Sequence, residues 1–304
     1  MMDARSAIEL AIPADVELPS RVPAGRILVT GAAGQLGMDV MRIAAAAGCD
    51  AIGVDRTELD ITDADAVREL VDHMRPAVII HCAAWTAVDD AETQEAAARL
   101  VNEAGTTHVA EAARRVGAKL VAVSTDYVFP GDAVDGYAED DVTGPTNAYG
   151  RTKLLAEHAA LAVPGAVVAR TAWLFGEHGA NFVRTIAGLA LQRESIEVVN
   201  DQVGSPTWSL HLARALVECA ASDITGIVHL AGSPTATWYD VACEVVRQLN
   251  ASCTVHPVSS DAFPRPAARP ACSILRVTRA GTPSMGDWRD GVRAVLAALQ
   301  PVTR

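Results

Sequence analysis

A chain of 304 residues that is 50% hydrophobic and 20% charged has ample material for a buried core, which excludes a largely disordered polymer. Lys and Arg total 25 against 37 Asp and Glu, and the resulting net charge of -12 argues against a protein that coats nucleic acid or an anionic membrane. Aromatics at 4% disfavour a base-stacking surface, although helix N-termini and a few Arg side chains still suit an anionic small molecule.

In chain order, residues 1–25 carry Asp3, Glu9, Asp15 and Glu17 and no long apolar run, so they read as a loose N-terminal extension rather than a targeting peptide. Short apolar runs then alternate with Ala-rich helical stretches. Strands are predicted at 26–30, 51–54, 77–81, 120–124 and 166–169, and helices at 35–47, 63–74, 90–116 and 149–161. Gly48, Pro76 and Gly117 punctuate them. This alternation predicts an α/β fold, a Rossmann-type doubly wound parallel sheet with helices on both faces. Loops at 129–147, 175–181 and 200–208 and the prolines 264, 266 and 270 mark a change of character, with helices near 182–192, 209–221, 238–249 and 287–299. The expected organisation is an extension over 1–25, a nucleotide-binding domain over 26–170, and a smaller substrate-binding lobe over 171–304 with segments that return to the sheet.

Six cysteines (Cys49, Cys82, Cys219, Cys243, Cys253, Cys272) lack any C-x-x-C spacing, which fits a reducing cytoplasmic compartment. Eight scattered histidines make no zinc pattern. No stretch reaches the 18 apolar residues of a membrane span.

The first strand runs into Gly31-Ala32-Ala33-Gly34-Gln35-Leu36-Gly37, a G-x-x-G-x-x-G turn between strand and helix. Gly31 permits a tight turn, Gly34 lets a pyrophosphate approach the backbone, and Gly37 lets the helix pack closely on the strand. Gln35 and Leu36 open that helix, whose free N–H groups face the phosphates. Asp55 ends the second strand, 18 residues after Gly37, where a carboxylate accepts from ribose hydroxyls and favours NAD. Arg56 follows it and suits the 2′-phosphate of NADP, or is a solvated charge. Asp60 is placed to fix the next loop, and Ile61 to lie against adenine.

Tyr149 and Lys153 form Tyr-x-x-x-Lys, one helical turn apart. A free Tyr titrates near 10, and an adjacent ammonium is expected to lower that value, making a general acid for a carbonyl that receives hydride. Ser124-Thr125-Asp126 ends the fourth strand, where open α/β sheets place ligands and where a hydroxyl can polarise the same carbonyl.

These residues resemble an extended short-chain dehydrogenase/reductase, and several segments resemble the dTDP-4-dehydrorhamnose reductase family within it. They are GAAGQLG at 31–37, HCAAWTAVDDAE at 81–92, VN at 101–102, STDYVFPG at 124–131, YGRTKLLAE at 149–157, RTAWLFG at 170–176, NFVRT at 181–185, NDQVGSPT at 200–207 and PAARPACSIL at 266–275. The resemblance covers roughly residues 26–300. It implies NAD(P)H-dependent reduction of the C4 ketone of dTDP-4-dehydro-L-rhamnose to dTDP-L-rhamnose, with NADPH expected and NADH also considered. Carried over residue by residue, Tyr149 is the acid, Lys153 tunes it and holds the nicotinamide ribose, and Thr125 is the hydroxyl partner. Asp126 and Trp173 match sugar contacts, and Ala83, Ala84 and Thr86 match the loop under the cofactor. Trp85 stands where relatives often carry Tyr, so only packing is carried over for it. Arg269 faces either the sugar-nucleotide diphosphate or solvent, and Asn181 either binds ligand or caps the following helix.

Some relatives are dimers bridged by Mg2+. One ligand position falls on Asp39, but Trp208-Ser209-Leu210-His211 lacks the carboxylates a hard cation prefers, which disfavours that dimer and leaves a monomer or weak homodimer. Two other functions compete with the reductase. One is another NDP-sugar epimerase, dehydratase or reductase, although a dehydratase commonly carries Asp-Glu after Thr125, and here Asp126-Tyr127 follows. The other is an NADP-binding regulatory subunit like the beta subunit of methionine adenosyltransferase, which would not require Thr125, Tyr149 and Lys153 together.

Overall fold

The computed structural model describes residues 12–14 and 16–299. The chain order begins β1 (Ile27–Thr30), α1 (Gln35–Ala46), β2 (Ala51–Val54), α2 (Ala64–Met74), β3 (Val78–His81), α3 (Val88–Thr93), α4 (Glu95–Arg99) and a π-turn (Leu100–Gly105). It continues α5 (Thr106–Val116), β4 (Lys119–Thr125), a 3₁₀ turn (Asp126–Val128), α6 (Ala148–Leu161), β5 (Val167–Thr171), β6 (Leu174–Phe175), α7 (Phe182–Ala190), β7 (Ser195–Val199), β8 (Val203–Gly204) and β9 (Thr207–Trp208). It closes with α8 (Ser209–Ala221), β10 (Gly226–His229), β11 (Ala236–Thr237), α9 (Trp238–Leu249), β12 (Thr254–Val258), β13 (Cys272–Ser273) and α10 (Trp288–Leu299).

Six strands make the main sheet in the order β10-β5-β4-β3-β1-β2, every neighbouring pair parallel. The central strands β1, β3, β4 and β5 are largely buried on both faces, as crossover helices require, while Ile52 of the edge strand β2 is exposed. Ile27, Val29, Val78, Ile80 and Val121 point to the side covered by α1 and α8. Leu28, Ile79, Leu120 and Ala122 point to the side covered by α2 and α5. Period-two alternation thus feeds two separate cores, and no strand keeps a polar face. The expected doubly wound α/β sheet is what the chain forms.

Local signals set the helix ends. Asp63 caps α2 by accepting from the amides of Asp65 and Ala66. Gly117, at φ +74°, ends α5. Asn147 caps α6 through the Gly150 amide at 2.8 Å. Thr237 and Asp240 form a capping box on α9.

Three expectations change. The helix predicted over 90–116 is interrupted: the backbone leaves helical geometry at Gln94 (φ −128°, ψ 36°), and the π-turn precedes α5. An apolar stripe reports which face is buried, but not where side chains from elsewhere bend the backbone. The predicted loop 200–208 contains β8 and β9, whose two residues each are too short for a periodic signal. β9 pairs with β6, and β8 pairs with β11 and β13, which ties the later half of the chain together. Residues 1–11 of the N-terminal extension lie outside the described residues. The part after residue 15 is not loose: Val16 is 7% exposed within the core, and the Ser20 amide donates to Glu218 Oε1 at 2.9 Å.

Candidate active site

The main sheet has its switch point between β1 and β3, whose connections leave in opposite directions, and ligands of open α/β sheets bind in the crevice this creates. Gly31, at φ +69°, makes the turn out of β1, and a Cβ there would sit 2.7 Å from the Ala83 nitrogen in the loop after β3. A Cβ on Gly37 would lie 2.1 Å from the Gly31 carbonyl oxygen, so α1 packs on the turn only with hydrogen there. Gly34 is the N-cap of α1, with no side-chain cap and no acidic residue in the first turn. The N-terminal amides of α1 therefore face the crevice without a competing side chain, which fits a pyrophosphate. Gln35 accepts from Asn181 Nδ2 at 3.1 Å, and Leu36 is buried under the helix.

At the far end of the crevice, Asp55 Oδ1 accepts from both the amide and the hydroxyl of Thr57 at 2.7 Å, and these bonds hold its pKa below the usual carboxylate range. Arg56 is exposed beside it. Asp60 Oδ1 closes the following turn on the Thr62 amide at 2.9 Å. Ile61 is 6% exposed, with its side chain in the core against Gly105. Ala83 and Ala84 are half-buried and Thr86 is exposed, in the loop that follows β3.

The candidate reacting groups converge where β4 ends. Thr125 Oγ1 donates to Asp126 Oδ1 at 2.9 Å and accepts from the Tyr127 amide at 3.2 Å. Asp126 is 3% exposed, and burial raises its pKa to about 6. Among the described residues its buried Oδ2 has no hydrogen-bond partner by geometry, while the nearby Ser273 hydroxyl opposes the burial shift. The Tyr149 ring meets Tyr127 edge to face, with centroids 5.6 Å apart.

Here one expectation is overturned. Burial, and then the negative charge of Asp126, push the Tyr149 phenol above its usual pKa, with the Thr125 hydroxyl pulling the other way. Lys153 does not lower it. Its Nζ donates to the Val123 carbonyl at 2.8 Å, and burial lowers its own pKa to about 8. The i, i+4 spacing puts both residues on one helical face, but the long Lys stem reaches down to the strand carbonyl.

Trp173 leaves β5 in the left-handed region at φ +47°, a strained conformation for a bulky residue. Its ring stacks on Trp238 with centroids 3.6 Å apart and planes 5° off parallel, and a Cβ on Gly204 would strike it at 2.5 Å. Trp238, the first residue of α9, donates from Nε1 to Gln202 Oε1 at 3.2 Å. Sequence reasoning missed Trp238; its one signal is the Thr237-x-x-Asp240 capping box that places it. Asn181 caps α7 by accepting from the Arg184 amide at 3.1 Å, so the capping role holds. Arg269 pairs with Asp89 at 2.9 Å, and its guanidinium lies 6.0 Å from the Tyr127 ring centroid. Asn147 Nδ2 holds the same Pro-rich segment through the Ala268 carbonyl at 3.0 Å. Behind the site Arg170 and Glu157 form a buried ion pair at 2.7 Å, and Glu157 Oε1 also accepts from Ser124 Oγ at 2.6 Å; sequence reasoning missed this pair too, because its partners lie 13 residues apart on different elements.

Asp39 lies in a buried polar cluster with Ser209, Arg42 and Glu177. It is 1% exposed, accepts from Ser209 Oγ, and lies 3.7 Å from the Arg42 guanidinium, itself paired with Glu177 at 3.2 Å. Two buried carboxylates, Asp39 and Glu177, therefore share the Arg42 guanidinium.

The RmlD substrate binding domain model matches residues 25–301. A curated relative from Streptomyces antibioticus, named a probable dTDP-4,6-dihydroxy-2-methyloxan-3-one 4-ketoreductase, is 46% identical, covering 92% of this chain and 98% of its own. The dTDP-4-dehydrorhamnose reductase of Streptomyces griseus is 42% identical, covering 92% of this chain and 96% of its own. Among solved structures, dTDP-4-dehydrorhamnose reductase from Bacillus anthracis in complex with NADP superposes with a TM-score of 0.87 at 36% identity, covering 90% of this chain and 99% of that one. With its glycine turn, its Thr-Tyr-Lys set and these relatives over most of its length, the chain belongs to the dTDP-4-dehydrorhamnose reductase family of oxidoreductases.

Proposed function

We propose that this protein reduces the C4 ketone of dTDP-4-dehydro-L-rhamnose to give dTDP-L-rhamnose, using NADPH. The observation that carries the reading is a protonated, buried phenol, Tyr149, beside the hydroxyl of Thr125 at the C-terminal end of β4, one loop away from an uncapped glycine turn. The nicotinamide nucleotide, when bound, supplies the hydride. Tyr149 donates the proton that the developing C4 alkoxide needs, as a general acid. Thr125 shifts its hydrogen bond from Asp126 to the same oxygen, and the freed Asp126 carboxylate accepts from a sugar hydroxyl. Lys153 presents its ammonium to the nicotinamide ribose. Gly31, Gly34, Gln35, Leu36 and Gly37 receive the pyrophosphate, and Asp55, Arg56 and Asp60 receive the adenosine end, with Ile61 packed beneath them in the core. Ala83, Ala84 and Thr86 line the floor, and Trp173 offers an apolar wall to the 6-methyl group. The organisation that fits is a nucleotide-binding domain to about residue 170 followed by a substrate lobe, in a cytoplasmic monomer or weak homodimer without a bridging metal.

A second substrate within the same class is favoured by the Streptomyces antibioticus relative, which is more similar than the Streptomyces griseus enzyme and bears a different 4-ketoreductase name. The test is a turnover assay in which dTDP-4-dehydro-L-rhamnose is generated in place and coenzyme oxidation is followed with NADPH and NADH in turn. Product in molar excess over enzyme is expected. Coenzyme binding without turnover overturns the reading, and turnover only of a different dTDP-4-keto sugar moves the substrate within the class.

A further inference from the structure

The π-turn Leu100–Gly105 interrupts what would otherwise continue as regular helix, and such turns recur at functional sites. Asn102 lies within it, 1% exposed. Its Oδ1 accepts from the Trp85 amide at 2.8 Å, and its Nδ2 donates to the Trp85 carbonyl at 3.3 Å and to Thr152 Oγ1 at 2.9 Å. Thr152 Oγ1 donates in turn to the Tyr149 carbonyl at 2.8 Å. One carboxamide therefore grips both backbone groups of Trp85, in the loop containing Ala83, Ala84 and Thr86, and ties that loop to α6 between Tyr149 and Lys153.

The same turn reaches the other two loops of the crevice. A Cβ on Gly105 would lie 2.6 Å from Ile61 Cδ1, so the loop after β2 rests directly on the turn. Thr106 Oγ1 lies 3.1 Å from His81 Nε2, and His81 Nδ1 lies 2.7 Å from Thr30 Oγ1, just before Gly31. Burial, with Lys153 nearby, drops the His81 pKa to about 3, so its neutral ring offers one donor and one acceptor to the two hydroxyls.

We infer that this π-turn is a spacer that sets the three coenzyme loops at a fixed distance from Tyr149, with Asn102 as its positioning residue. The inference rests on the reduction proposed above, because that reaction requires the nucleotide and the phenol to be held in register. A buried peptide stripped of both partners relaxes, and small displacements of reacting groups are costly in rate.

Asn102→Leu keeps the volume and removes the grip. NADPH Kd by titration calorimetry is expected to rise about tenfold, with kcat reduced, while dTDP Kd stays at the wild-type value. Thr152→Val removes the bond from Asn102 and the bond to the Tyr149 carbonyl while leaving the grip on Trp85, so it is expected to lower kcat roughly three- to tenfold with NADPH Kd unchanged. Wild-type NADPH affinity in Asn102→Leu, equal weakening of NADPH and dTDP, or wild-type kcat in Thr152→Val overturns the inference. If Asn102→Leu does not fold, the split between kcat and Kd in Thr152→Val decides. If the wild-type enzyme binds NADPH but turns over no 4-keto sugar, the function fails while the calorimetric comparison still judges the clamp.

Discussion

Lys153 Nζ donates to the main-chain carbonyl of Val123 at 2.8 Å, two residues before Thr125 on β4. That bond draws the amine to the strand, and the two side chains titrate differently. Tyr149, its pKa raised by burial and by Asp126, keeps its proton at neutral pH, and the same shift makes it a weaker acid than a free phenol. Lys153, with its pKa lowered to about 8, is a buried cation that titrates close to neutrality.

Tyr149→Phe removes the donated proton and keeps the ring against Tyr127. We expect kcat to fall by a factor on the order of 10²–10⁴ with NADPH affinity nearly intact. Steady-state turnover with coenzyme titration checks this, and an unchanged kcat would mean another group supplies the proton.

The Lys153 amine is charged below about pH 8 and neutral above it. If it holds the nicotinamide ribose, NADPH affinity declines as pH rises through that value, because the strong charge-assisted donor is lost. Lys153→Met should bind more weakly at pH 7 and show no such decline. Coenzyme Kd measured across pH 6 to pH 9 in both proteins tests it; a decline that persists in Lys153→Met belongs to a different group.

The sequence made the sheet legible because its strands are short, apolar and separated by helices with clear ends such as Asp63 and Gly117. It also brought Thr125, Tyr149 and Lys153 into view, and the fold sets Thr125 at the end of β4 with Tyr149 and Lys153 on α6. What it hid depends on distant partners. Asn102 reads as one polar residue in a helix until Trp85, 17 residues earlier, and Thr152, 50 residues later, are brought to it. The same holds for Lys153: spacing placed it beside Tyr149, but only tertiary geometry shows that its nitrogen ends on a strand carbonyl. For Ile61 the local sequence suggests an adenine contact, but packing against Gly105 takes its side chain into the core.

Arg170→Met should be strongly destabilising. Arg170 gives Glu157 two hydrogen bonds, at 2.8 and 2.7 Å, with both side chains almost fully buried. Removing the guanidinium strands a buried carboxylate, a loss of about 3–5 kcal/mol. Combining it with Glu157→Gln should recover much of the loss. Urea denaturation of the single and double variants gives the numbers, and a loss equal in both would place the cost in packing over Phe129.

Arg56→Ala should distinguish the coenzymes. Arg56 is exposed at the end of β2 beside Asp55, where a 2′-phosphate would approach. We expect NADPH Kd to rise about tenfold and NADH Kd to change little, the difference expected for one exposed charge-assisted contact. Equal changes for both would show that Arg56 does not meet the phosphate.

Asp126→Asn should lose activity and gain stability. The folded-state pKa of Asp126 is raised to about 6, so its protonated form is the one the fold favours. That contribution is fully present below the unfolded carboxylate pKa near 4 and is lost as pH rises through about 6, where a buried charge replaces a neutral acid. Asn stays neutral throughout. The variant should therefore match the wild type near pH 4 and exceed it by on the order of 2 kcal/mol above pH 6. Asp39, also raised to about 6, titrates in both proteins and cancels from the comparison. Thermal melts of the two proteins from pH 4 to pH 8 test the sign: a gap that is constant with pH would show that Asp126 is already ionised without cost, and the buried acceptor would then be solvated in the open crevice.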